Sequence, residues 1–123
     1  AIKLSELSIG IGPFVIAPAV ERKMGVGALA ELTLAATDWK NAYWAKEKGL
    51  YARVFDSIKE LDREVEIFTE KLASYNPQAL HEMKKVLWEN TDSWDSLLQE
   101  RAAISGELVL SDFTRKALNK FKK

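Results

Sequence analysis

Apolar residues return at steps of three and four through the second half of the chain. In "DSIKELDREVEIFTEKLASY" they are Ile58, Leu61, Val65, Phe68 and Leu72. That spacing puts them on one face of a helix. Ser57, followed three residues later by Glu60, has the form of a capping box at its start. "NPQALHEMKKVLWEN" predicts a second helix with the stripe Leu80, Met83 and Leu87. Asn76 is its N-cap and Pro77 its first helical residue, where a missing N–H does no harm. A third helix begins after Thr91 or Ser93, with Trp94, Leu97 and Leu98 facing inward. A short last helix follows Ser111, with Phe113, Ala117 and Phe121 on one side.

The first half has a different texture. Residues 1–56 hold five of the six glycines and two of the three prolines. Val20 to Met24 and Ala28 to Ala35 have helical character, split by "GVG". Asn41 to Lys48 predicts a short helix ended at Gly49. "LYARVF" has strand character, and so has the opening "AIKL". Two short, distant strands cannot build a sheet by themselves, so partners are expected elsewhere. The change of texture divides the chain into residues 1–56 and residues 57–123. The overall expectation is a mainly α chain.

Composition narrows the chemistry. The 123 residues suffice for one modest core. Lys plus Arg and Asp plus Glu number 18 each, so nothing global draws the chain to nucleic acid or an anionic membrane. There is no cysteine, which excludes disulfides and thiolate metal sites. The single histidine, His81, excludes a histidine-rich metal site and reads as a solvated side chain beside Glu82. No apolar run reaches membrane-spanning length.

The segment "LSELSIGIGPF" sets one carboxylate, Glu6, among Leu4, Leu7, Ile9 and Ile11, just before Gly10, Gly12 and Pro13. Its sequence alone fits either a solvated surface charge or a partly desolvated proton donor. Trp39 and Trp44 flank a short helix and suit core or interface packing.

The order of motifs from Glu6 to Phe55 resembles the middle of a crotonase, a member of the enoyl-CoA hydratase/isomerase superfamily. Glu6, Gly10 and Pro13 are followed by Arg22 and Gly25, then by "ALAELTL", Ala42 and Ala45, and "GLYARVF". Downstream, "LASYNPQALHEMKKVL" is similar to the family's segment, with Pro77, Ala79, Leu80 and Lys84 in register. There are departures: "FVIAPAV" stands for a glycine-rich stretch, "LAAT" for Leu-Thr-Gly, and "RK" at 115–116 for Glu-Gly.

The resemblance implies the C-terminal half of an α/β crotonase (ClpP-like) spiral fold, with residues 1–56 ending the core and 57–123 forming a helical trimerisation domain. It implies acyl-coenzyme A as substrate with no prosthetic group and no metal. It implies Glu6 as general acid/base of an enoyl-CoA hydratase, or as the single proton shuttle of a double-bond isomerase. Pro13, Phe14 and Val15 would bind the acyl group, with Ile16 beside them, while Phe14, Val15 and Ile16 suit loop or core packing equally well. Lys122 and Lys123 would hold a phosphate of coenzyme A, although a basic last turn also simply complements the helix dipole. The implied partners are an upstream half carrying the oxyanion hole and further copies of the chain, as a trimer or hexamer. Neither nucleic acid nor membrane is implied, and the expected location is cytoplasmic. Without the upstream half, the 123 residues alone are expected to be inactive. A non-catalytic helical association module is the competing reading.

Overall fold

The computed structural model of the protein describes residues 1–120. A 3₁₀ turn at Glu6–Ile9 precedes six helices: α1 at Ala17–Leu34, α2 at Ala42–Glu47, α3 at Ile58–Ser74, α4 at Pro77–Leu87, α5 at Trp94–Val109 and α6 at Asp112–Asn119. Among the described residues there is no strand. Ile2 and Lys40 form one isolated antiparallel bridge, exchanging N–H···O bonds of 2.8 and 2.9 Å.

The helix starts follow the sequence chemistry. Ser57 Oγ accepts from the Glu60 N–H, Asn76 Oδ1 accepts from Gln78 and Ala79, and Ser111 Oγ accepts from Thr114. Each satisfies N–H groups that a helix leaves without an internal partner. Asn41 does the same for α2 through the Trp44 N–H. The split expected at "GVG" is a kink inside α1, where Gly25 takes φ 77° and ψ 163°. Only glycine adopts that backbone region at little cost.

The strand expectations need correction. "LYARVF" does not extend into a ladder. The N–H groups of Leu50 and Tyr51 both turn back to the Ala45 carbonyl, at 2.9 and 3.1 Å, closing the end of α2. A segment whose first donors cap a helix cannot offer them to a neighbouring strand. The opening "AIKL" contributes only Ile2 to the bridge, and its partner, Lys40, lies within this chain.

The chain forms two compact units. The first comprises Ala1–Ala52 and the residues from Asp95 onward. Its buried aliphatic side chains include Val20, Leu32, Ala36 and Ala45. Lys40 ties α1 to the segment before α2 through a 2.9 Å ion pair with Glu31, and its ammonium lies 5.5 Å from the Trp44 ring centre. Lys3 lies 4.5 Å from the ring centre of Trp39, which is otherwise exposed. These contacts anchor the segment leading into Glu6.

The second unit, Arg53–Trp94, holds α3 and α4. None of its residues is buried. Arg53 pairs with Glu64 at 3.2 Å and covers the Phe68 ring, and Trp88 meets Trp94 edge to face. The stripes Ile58–Leu61–Val65–Phe68 and Met83–Leu87 are present as expected, and they stay open to solvent. On α6, Phe113 and Ala117 line one groove, as their shared side expects. Thr114 is the fully buried residue and Phe113 is largely exposed. Phe121, also expected on that side, lies outside the described residues.

Candidate functional site

Glu6 opens the 3₁₀ turn, and that turn packs on both α1 and α6. The turn closes at Gly10, whose φ of 86° lies in the left-handed region. A Cβ at Gly10 would lie 2.5 Å from the Phe113 ring and 2.7 Å from Thr114 Oγ1. Thr114 is held in place by the Ser111 hydroxyl, at 3.1 Å. The backbone then runs on with the Ile11 N–H donating to the Glu6 carbonyl at 3.0 Å. A glycine pressed against α6 therefore fixes the backbone of the carboxylate-bearing residue.

The Glu6 side chain faces a cavity of about 490 Å³. The run from Ile11 to Ile16 lines it, with Ala19 from α1 and Ser105 from α5. Gly12 and Pro13 are buried, and the Phe14 ring lies against Gly12 so closely that a Cβ there would meet it. Val15 and Ile16 are about half exposed. Glu6 Oε2 is buried and has no hydrogen-bond partner among the described residues. A buried acceptor without a partner carries a desolvation cost that a bound donor would relieve. The cavity thus joins one carboxylate to walls that are otherwise apolar, apart from the Ser105 hydroxyl.

Glu6, Pro13, Phe14 and Val15, singled out from sequence, lie around this one cavity, and so does Ile16. Lys122 and Lys123 lie outside the described residues. Their neighbours Lys116 and Lys120 line a separate groove of about 320 Å³ with Ser8, Phe113 and Ala117. Ser105 was missed. A signal for it exists: the inward stripe of α5 continues from Leu97 and Leu98 by helical steps to Arg101, Ser105 and Leu108, all half-buried. His81 is exposed, as expected. Among the described residues no cluster of three or more His, Asp or Glu side chains is gathered to hold a metal ion. Nor is any helix among them long and apolar enough to cross a membrane.

The fold is that of the helical C-terminal part of a crotonase. It is shown by a solved structure described as an enoyl-CoA hydratase/isomerase from Pseudoalteromonas atlantica T6c. The two superpose with a TM-score of 0.84 over 97% of this chain, at 21% sequence identity. The chain spans about half of that structure, 48% of its length. No family model matches the sequence, and no curated protein matches it.

Proposed function

We propose that the protein contributes the carboxylate-bearing part of an enoyl-CoA hydratase, which adds water syn across the double bond of an α,β-unsaturated acyl-CoA. One observation carries the reading. Glu6, the only carboxylate among the described lining residues, keeps a buried oxygen without a partner among them, on a fold shared with an enoyl-CoA hydratase/isomerase. Hydration needs a proton delivered to the α-carbon as charge builds on the thioester oxygen. In this reading Glu6 delivers that proton, Pro13, Phe14 and Val15 receive the acyl chain, and Lys122 and Lys123 meet a phosphate of the carrier. Donors for the thioester oxygen come from an upstream half. The working assembly is a trimer or hexamer in the cytoplasm.

A second reading has its own support. A double-bond isomerase needs only one carboxylate to move a proton between two carbons, and the cavity has only one among its described lining residues.

Either reaction is tested by Glu6→Gln in the full-length protein. Glutamine keeps the size of the side chain but cannot exchange the proton. Turnover of crotonyl-CoA, or of a 3-enoyl-CoA for the isomerase, should fall by about 10²–10⁴-fold. Acyl-CoA affinity should stay within a few-fold, because the loss belongs to the chemical step. A variant that keeps more than half the parent rate would remove Glu6 from the mechanism.

A further inference from the structure

Among the described residues that line the cavity, Ser105 is the one that does not come from the segment between Glu6 and Ala19. It sits on α5, half-buried. Its Oγ donates to the Arg101 carbonyl at 3.3 Å. A carbonyl can only accept, so the serine hydrogen is committed within its own helix. What the hydroxyl still offers is its oxygen lone pairs. Glu6 lines the same cavity, and its buried Oε2 is an acceptor without a hydrogen-bond partner among the described residues. The remaining lining side chains are apolar or glycine. Among the described lining residues, the side chains therefore present two acceptors and no uncommitted neutral donor. A plain hydrocarbon leaves both acceptors unmet, whereas a water or a hydroxyl brings the hydrogens they need.

We propose that Ser105 is a specificity-determining residue that accepts a hydrogen bond from a hydroxyl carried by the ligand, so that the Glu6 cavity selects hydroxylated acyl groups over unsubstituted ones of the same length. The proposal rests on the acyl-thioester reading above and sharpens it toward the hydration reaction, whose water and product both bring an O–H group to the site. An isomerase moves a double bond along a hydrocarbon and has no use for such a contact. Ser105 does not activate water in this scheme, since its own proton stays with Arg101. It touches and orients the O–H group.

The test is calorimetric binding of butyryl-CoA and 3-hydroxybutyryl-CoA to the full-length protein. A Glu6→Leu background removes the other acceptor of the cavity and leaves the hydroxyacyl thioester unconsumed. The hydroxylated ligand should bind about three- to tenfold more tightly, the size of one net hydrogen bond. Ser105→Ala should abolish that preference and leave butyryl-CoA affinity within twofold. Unchanged butyryl-CoA binding also reports that the variant is folded. Ser105→Thr, which keeps the hydroxyl, should retain the preference. Equal binding of the two ligands by the Ser105 protein, or a preference that survives Ser105→Ala, overturns the proposal and leaves the acyl-thioester reading standing. If neither thioester binds, both fall together.

Discussion

Single residues decide where the carboxylate stands. Gly10 joins two constraints that no other residue meets together, a left-handed φ and contact with both Phe113 and Thr114. Gly10→Ala should therefore destabilise the protein by about 1–3 kcal/mol from backbone strain alone, with more from displaced α6 side chains. Denaturant unfolding reads this as a lowered midpoint with little change in slope. A midpoint shift worth less than about 0.5 kcal/mol, the usual range for a surface substitution, would show that the turn relaxes freely. At this scale the sequence was informative only in part. Glu6 stood out as a lone charge among apolar residues, and Phe14 and Val15 entered only through the family resemblance. Ser105 did not stand out, because a hydroxyl in a helix becomes meaningful only when tertiary packing turns it toward a cavity. Thr114 was hidden for the same reason. Its full burial depends on Gly10, more than a hundred residues away in sequence.

Helices were legible where local chemistry specifies them. The caps at Ser57, Asn76 and Ser111 satisfy their own helix ends, and such bonds need nothing from the rest of the molecule. The segment 50–55 was not legible, because strand propensity expresses itself only beside a partner strand. Between α1 and α2 the connection is electrostatic and can be followed by pH. The Lys40 ammonium hydrogen-bonds Glu31 and holds its carboxyl below the usual value of 4.5, with the charges of Lys40 and Lys48 acting the same way. A carboxyl whose folded pKa is depressed contributes stability above its unfolded pKa. That contribution is lost as pH falls through the folded value. The contribution should be small, because Glu31 is exposed and salt screens the pair. NMR titration should find the Glu31 midpoint below 4.5, and Lys40→Met should raise it toward that value. A midpoint that Lys40→Met leaves in place would mean that the ion pair does not form in solution.

For the whole molecule, the open faces of α3 and α4 carry the main expectation. Val65, Phe68, Met83 and Val86 are each about half exposed, and neither helix contains a buried residue. Apolar surface of this extent usually meets another protein. We expect the protein to self-associate through these faces. Sedimentation velocity at micromolar concentration should show an assembly larger than one chain, and Val65→Glu with Phe68→Glu should shift it toward the monomer. A parent that already sediments as a monomer would count against self-association. Sequence pattern revealed these stripes but not their fate, since periodicity says which side of a helix is apolar and not what covers it. The cavity has a different kind of simplicity: apart from Ser105, its described lining comes from one stretch, residues 6–19. A single synthetic oligonucleotide can therefore randomise nearly the whole lining at once while the coding sequence for the scaffold helices α2 to α6 stays untouched. For directed evolution this makes ligand preference a cassette that can be swapped, with one distant codon left as an independent dial.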